Sequence, residues 1–180
     1  GVTSSGKTEV YIHLIEKALQ DKKQVLYLLP EIALTVQMMT RLKRVFGNRL
    51  GIYHSKYSDA ERVEIWKKQL SAHPYDVILG ARSAVFLPFR QLGLVIIDEE
   101  HETSFKQQDP SPRYHARSAA IVLAQQYGAK TVLGTATPSM ESYYNAQMGK
   151  YGLVNLSQRY KDIQLPAIEV VDIKDLRRRK

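Results

Sequence analysis

A chain of 180 residues, 44% hydrophobic and 24% charged, has room for one globular domain or one domain with an appendage. With 26 Lys+Arg against 18 Asp+Glu it carries a formal net charge of +8, which favours a polyanionic partner and nucleic acid first, although the terminal run Arg177-Arg178-Arg179-Lys180 holds part of that excess and charge alone leaves the matter even. The lack of cysteine excludes disulfides and cysteine-ligated zinc or iron–sulfur sites in this piece, the histidines (His13, His54, His73, His101, His115) show no metal-ligand spacing, and no apolar run reaches the about 20 residues of a membrane span, so the chain reads as cytoplasmic with no membrane partner.

The chain opens on Gly1-Val2-Thr3-Ser4-Ser5-Gly6-Lys7-Thr8, which fits G-x-x-x-x-G-K-[ST]. Such a loop curls so that backbone N–H groups converge on phosphate oxygens, and the next helix turns its positive end to the same anion. All eight residues are nucleotide-binding candidates; Lys7 would reach the β- and γ-phosphates and the Thr8 hydroxyl would ligate Mg²⁺. A Gly/Ser-rich turn before a helix is the plain alternative. Phosphate loops follow a buried strand, so with no such strand and no Met ahead of the loop the chain is expected to be an excised piece of a larger protein.

Glu9–Leu19 reads as a helix with apolar stripes at Val10, Leu14, Ala18 and at Tyr11, Ile15, Leu19. Gln24–Leu29 is a strand buried on both faces, ended by Pro30. Ala33–Phe46 is a helix closed by Gly47-Asn48, and Leu50–His54 a short strand. Ser58 and Glu61 form a capping box opening a helix to about Ala72, with Val63, Trp66 and Leu70 inward. Asp76–Leu79 and Leu92–Ile97 are buried strands, Tyr114–Tyr127 a helix stopped by Gly128, Lys130–Leu133 a strand, and Ser139–Gln147 a helix. Strands alternating with helices predict an α/β fold, a mostly parallel sheet with helices on both faces. Beyond Tyr151, Leu153–Leu156 and Ile168–Asp172 look like short strands; residues 160–180 read as a connector.

The run Leu94-Val95-Ile96-Ile97 ends in Asp98-Glu99-Glu100-His101, a strand delivering carboxylates to the ligand edge of the sheet. Asp98 would hold Mg²⁺ and Glu99 would orient or deprotonate the attacking water. His101 is placed to sense the γ-phosphate, though alone it reads more often as a surface histidine. Thr135, Ala136 and Thr137, within Gly134-Thr135-Ala136-Thr137-Pro138-Ser139, leave another strand into a turn whose hydroxyls can bond to the Asp98/Glu99 region and couple it to a neighbouring domain.

GVTSSGKTE, DEEH and GTATPS, in this order and spacing, resemble the nucleotide-site motifs of superfamily 2 helicases. LLPEIALT (Leu28–Thr35), YHS (Tyr53–Ser55), GARSAVFLPF (Gly80–Phe89) and KQQDPSPRYHAR (Lys106–Arg117) narrow the resemblance to the PriA (primosomal protein N′) family of replication-restart helicases, whose first motor lobe the whole chain is similar to. Ser4 stands where that family usually has glycine. The resemblance implies a RecA-like phosphate-loop NTPase lobe over residues 1–159, lacking its initial strand, and a connector over 160–180 towards a missing second lobe. It implies ATP with Mg²⁺, 3′→5′ unwinding at stalled forks, zinc only in the missing part of the parent, and as partners forked and single-stranded DNA, the second lobe, primosome proteins and single-strand-binding proteins. Lys7, Asp98, Glu99 and His101 would be catalytic.

The same resemblance places Pro30, Thr35, Arg82 and Ser83 where related motors grip the DNA backbone; ordinary turn and cap chemistry explains them equally well. Phe105, Lys106, Gln107, Gln108, Arg113, Tyr114, His115 and Arg117 resemble the family's aromatic-rich loop, where rings stack on bases and cations follow the backbone; an exposed loop with Tyr114 packed at a helix start is the alternative. The isolated piece is expected to be nearly inactive. Rival readings are another superfamily 2 DNA translocase, from repair or restriction, and a self-contained phosphate-loop enzyme of kinase type.

Overall fold

The computed structural model describes residues 6–54 and 56–156. Five strands, β1 (Gln24–Leu28), β2 (Leu50–Tyr53), β3 (Val77–Gly80), β4 (Leu92–Asp98) and β5 (Lys130–Gly134), form one sheet in the order β2-β3-β1-β4-β5, and every neighbouring pair is parallel. Parallel neighbours cannot be joined by hairpins, so helices carry the chain back across the sheet. These are α1 (Lys7–Gln20), α2 (Val36–Phe46), α3 (Asp59–Leu70), α4 (Ala116–Tyr127) and α5 (Met140–Gln147). A 3₁₀ segment at Arg82–Phe86 lies between β3 and β4 instead of an α-helix.

Side chains alternate between the two faces along each strand. Val25, Tyr27, Val77, Leu79, Leu94 and Ile96 pack against α1 and α2 through Tyr11, Ile12, Ile15, Ala18, Leu42 and Phe46. Leu26, Leu28, Ile78, Val95 and Ile97 pack on the other face against Ala116, Ala120 and Ala124 of α4, the 3₁₀ segment's Ala84 and Val85, and Ile65 of α3. Both faces are therefore covered, which explains why the strands read as unbroken apolar runs rather than as alternating ones. This is the RecA-like α/β arrangement that the sequence predicts.

Several boundaries and faces differ from expectation. The α1 stripe is centred on Tyr11, Ile12, Ile15 and Ala18, leaving Val10 exposed. The Ala33–Phe46 helix splits: Glu31–Ala33 is a 3₁₀ turn, and α2 starts only after Thr35, whose hydroxyl accepts the Met38 N–H at 3.2 Å as an N-cap. Likewise α4 begins after His115, because Lys106 and His115 form an antiparallel bridge that holds His115 in extended backbone. Leu153–Leu156 forms no strand. Ile168–Asp172, the 160–180 connector and Gly1–Ser5 lie outside the described residues.

The largest correction concerns α3. Its capping box forms as expected, with the Ser58 hydroxyl accepting the Glu61 N–H and the Glu61 carboxylate accepting the Ser58 N–H. Yet Val63, Trp66 and Leu70 face outward, and Trp66 is 42% exposed. The inward position is Gln69, whose Oε1 accepts the Tyr75 N–H at 2.8 Å while its Nε2 donates to the Pro88 carbonyl at 3.3 Å. A buried amide satisfying two backbone groups fixes the helix rotation more firmly than a short apolar stripe does. Gln69→Leu strands both backbone groups and is expected to cost about 1–3 kcal/mol in urea unfolding. Trp66→Gln, on the open face, is expected to cost under about 1 kcal/mol. The reverse ranking would restore the Val63–Trp66–Leu70 face as the buried one.

Candidate nucleotide site at the carboxyl edge of the sheet

Because all five strands run the same way, the segments after β1, β3, β4 and β5 emerge along one edge. α1 starts beside that edge. Its N-cap Gly6 sits at φ 79°, a left-handed conformation that costs glycine little, and Lys7 and Thr8 follow in the first helical turn. Lys7 Nζ donates to Glu99 Oε1 at 2.5 Å and lies 3.6 Å from Asp98 Oδ1. The structure thus joins residues far apart in sequence, Lys7 with Asp98 and Glu99, at one point on the sheet edge. The other phosphate-loop residues, Gly1 to Ser5, lie outside the described residues.

Asp98 is buried under two tyrosines. The Tyr11 hydroxyl donates to its Oδ1 at 3.0 Å, the Tyr27 hydroxyl lies 3.4 Å from Oδ2, and the Glu99 N–H donates to Oδ1 at 3.0 Å. Burial pushes the Asp98 carboxyl above its usual range, against the opposing pull of the Lys7 ammonium and the Tyr11 hydroxyl. The two phenols are raised as well, by burial first and by the Asp98 charge next, so both remain donors. Gly134, at the end of β5, makes this packing possible: a Cβ there would fall 1.7 Å from the Tyr11 hydroxyl.

The chain turns sharply after Asp98. Glu99 has φ 48°, a left-handed backbone that a non-glycine residue holds only when its surroundings impose it. The next residue supplies the constraint. Glu100 is 1% exposed; its N–H donates to the Gly134 carbonyl at 3.1 Å, and its carboxylate accepts from Arg117 Nη1 (2.5 Å), the Ser139 N–H (2.8 Å), the Ser139 hydroxyl (3.0 Å) and the Ser142 hydroxyl (2.9 Å). Burial raises this carboxyl, but the donors outweigh it and hold it below the usual range. His101 then faces the β5 turn, with Nδ1 2.8 Å from the Thr135 hydroxyl and Nε2 3.3 Å from the Thr137 hydroxyl, while Thr135 Oγ1 also accepts the Thr137 N–H. Ala136 sits between them, half-buried.

Other expected residues fall at mixed places. Pro30 is buried, Thr35 is spent on capping α2, and Ser83 lies within the 3₁₀ segment. Arg82 Nη1 donates to the Ser104 and Lys106 carbonyls at 3.3 and 3.2 Å. Residues 106–115 form a hairpin: Lys106 bridges His115, the Gln107 N–H donates to the Tyr114 carbonyl at 2.9 Å, and the Gln107 amide donates to the Pro110 and Pro112 carbonyls. Gln108 and Arg113 are exposed on it. Phe105, at 0% exposure, is a core residue beneath the hairpin, so its ring is not presented to a base; Arg117 points inward to Glu100 rather than to solvent. Sequence reasoning missed Phe86, which is 53% exposed with its ring centroid 4.8 Å from that of Tyr114, edge to face. It also missed Tyr11, Tyr27 and Glu100; no local pattern distinguishes a buried acid from its exposed neighbours.

Since the folded-state value of Asp98 is raised, its ionisation destabilises the nucleotide-free fold as pH climbs from the usual carboxylate range through the elevated one. Asp98→Asn, which can still accept from Tyr11, is expected to raise the melting temperature at pH 8 by about 2–4 °C, with the gain shrinking toward pH 4. A lower melting temperature at pH 8 overturns the desolvation account.

Residues 1–146 match the model of the DEAD/DEAH box helicases. Among curated proteins, the chain is 45% identical over 175 residues to the replication restart protein PriA of Bacillus subtilis (strain 168), covering 97% of this chain and 22% of that protein. It is 48% identical over 159 residues to the replication restart protein PriA of Chlamydia trachomatis serovar D, covering 88% and 21%. The chain thus spans about a fifth of these relatives' length. Among solved structures, RecG bound to a three-way DNA junction superposes with a TM-score of 0.57 at 22% identity, over 83% of this chain and 19% of that one, a likeness of fold. On the family match over most of its length, the chain belongs to the DEAD/DEAH box helicases.

Proposed function

We propose that this chain is the ATP-binding motor lobe of a 3′→5′ DNA helicase that restarts replication at stalled forks, with residues 1–159 forming the lobe and 160–180 leading to a second lobe. The observation that carries the reading is the meeting of Lys7 with Asp98 and Glu99 at the carboxyl edge of the sheet; the similarity to replication restart proteins supports it.

The residues present fit Mg-ATP. Lys7 offers a cation, the N-terminus of α1 offers N–H groups, and Thr8 and Asp98 offer the oxygen ligands that magnesium prefers. Magnesium held there would supply charge neutralisation for the nucleotide's phosphates. For the protein's part, Lys7 would leave Glu99 for the phosphates, which frees the Glu99 carboxylate to orient water. His101, bonded to Thr135 and Thr137, would pass the loss of the γ-phosphate to the β5 turn and so to the second lobe. Primosome and single-strand-binding proteins, a zinc site elsewhere in the parent and a cytoplasmic location belong to the same reading. Among the described residues no helix is long and apolar enough to cross a membrane, and no group of three or more His, Asp or Glu could hold a metal ion by itself.

Phosphate release from ATP tests this, with and without forked DNA, for the 180-residue chain and for a protein of the relatives' full length, each beside Lys7→Ala. Turnover in the DNA-bound long protein should fall by about 100-fold or more with Lys7→Ala, and the short chain should be nearly idle. Brisk, DNA-independent turnover by the short chain would point instead to a self-contained phosphate-loop enzyme.

DNA contact on this reading falls to the exposed part of the 106–115 hairpin. Arg113→Ala in the long protein should weaken single-strand binding and reduce the slope of log K against log salt by about 0.7. An unchanged slope removes Arg113 from the contact.

A further inference from the structure

Lys7 and Tyr11 stand one helical turn apart on α1, at positions i and i+4, and so share one face of the helix. Both reach the end of β4. Lys7 Nζ meets Glu99 and Asp98, and the Tyr11 hydroxyl donates to Asp98 Oδ1 at 3.0 Å. Among the described residues these are the polar ties between α1 and the acids at the end of β4. On the motor-lobe reading Lys7 turns to the phosphates, and the tie that persists is Tyr11 to Asp98.

Strands β1 and β5 confine that tyrosine. Its ring is buried and stands edge to face against Tyr27 of β1, with centroids 5.5 Å apart and planes at 76°. Tyr27 is buried too, but its own hydroxyl lies 3.4 Å from Asp98 Oδ2, long for a hydrogen bond between two oxygens. What Tyr27 contributes is chiefly a wall for the Tyr11 ring. From β5, only a glycine leaves room: a Cβ at Gly134 would fall 1.7 Å from the Tyr11 hydroxyl and 3.1 Å from Asp98 Oδ1. The Glu99 N–H completes the hold on Oδ1 at 3.0 Å.

Thr8 and Asp98, the two protein oxygen donors that fit magnesium, belong to different elements, α1 and β4. Tyr11 sits on the helix of the first and bonds to the carboxylate of the second, so its hydroxyl fixes how far apart the two lie. Spacing matters to a small cation. Magnesium takes oxygens at about 2.0–2.1 Å in a near-octahedral shell, whereas calcium accepts about 2.3–2.6 Å and irregular geometry. Outer partners that orient a metal ligand commonly set affinity by about 10–100-fold.

We propose that Tyr11, walled in by Tyr27 and Gly134, is a positioning residue that sets the spacing between Thr8 and Asp98 and thereby the preference of the site for magnesium over larger cations. The inference rests on the motor-lobe reading above and adds to it a residue that touches neither nucleotide nor metal.

The test uses the full-length protein with ADP and Mn²⁺, read by electron paramagnetic resonance, with Mg²⁺ and Ca²⁺ as competitors. Tyr11→Phe keeps the ring and removes the donor. Its Mg²⁺ affinity should fall by about 10-fold and its Ca²⁺ affinity by no more than about 2-fold, with ADP affinity in EDTA within about 2-fold of wild type. Tyr27→Phe keeps the wall and removes only the long contact, so Mg²⁺ affinity should shift by no more than about 3-fold. Gly134→Ala crowds the same hydroxyl without deleting it and should reproduce the Mg²⁺-selective loss, a second approach should Tyr11→Phe fold poorly. A merely structural role lowers the melting temperature and leaves the Mg²⁺ to Ca²⁺ ratio where it was. Unchanged Mg²⁺ affinity in Tyr11→Phe, equal losses for Mg²⁺ and Ca²⁺, or a Tyr27→Phe as damaging as Tyr11→Phe each overturns the assignment. Wild-type protein that binds no Mn²⁺ with ADP, by contrast, sinks the motor-lobe reading itself.

Discussion

Three consecutive carboxylates emerge from the end of a strand that is buried on both faces, and the fold must find partners for them. An ionised carboxylate with no partner in such a place costs several kcal/mol. The acids draw their partners from several elements. Asp98 draws on Tyr11 from α1 and Tyr27 from β1, Glu99 on Lys7 at the start of α1, and Glu100 on Arg117 of α4 with Ser139 and Ser142 at the start of α5. Helices α1, α4 and α5 are thereby joined to the end of β4 by ion pairs and hydrogen bonds, in addition to the apolar packing of α1 and α4. The site and the architecture answer the same demand.

The three solutions differ in kind, and the difference bears on chemistry. Glu100 is saturated by donors and held below the usual carboxylate range, as befits a fixed strut. Asp98 is under-compensated, and burial leaves its carboxyl raised. A divalent cation nearby is the partner that would restore its charge at little cost, since a nearby positive charge favours the ionised form. Glu99 is the most accessible of the three and is joined to a lysine that a phosphate would compete for. On the motor-lobe reading, then, Asp98 would take a metal and Glu99 would be released from Lys7, while Glu100 is the acid already saturated by donors.

The β-strands, the capping box at Ser58 and the glycine stop at Gly128 were legible because each depends on neighbours in sequence: apolar runs, an i,i+3 pair and a left-handed C-cap. The meeting of Lys7 with Asp98 and Glu99 at one edge was legible because a lysine opening the first helix and acids ending a buried strand fall on the same side of a parallel sheet. What was hidden depends on partners distant in sequence. Gln69 shows no periodicity that marks it as a core residue; its value lies in the Tyr75 N–H and the Pro88 carbonyl. Phe105 reads as part of an aromatic, cationic loop until β4 and α4 close over it. Phe86 reads as one more apolar residue after β3, and only the fold brings its ring to Tyr114.

The same distinction sorts the cations. A net charge of +8 and a loop rich in Lys and Arg invite the view that every positive side chain near the sheet edge faces nucleic acid. The geometry divides them by what they already satisfy. Arg117 is committed to a buried carboxylate, Arg82 to two backbone carbonyls that fix the hairpin base, and Lys7 to the acid pair. Arg113 stands exposed at the hairpin. Removing a committed arginine strands a buried group and perturbs the fold around it, whereas removing an exposed one changes only long-range attraction to a phosphate backbone. On the motor-lobe reading, substitutions that weaken DNA-dependent activity would thus have opposite origins on neighbouring residues, and salt dependence would separate them: a phosphate contact carries a salt slope, and a buried pair carries little.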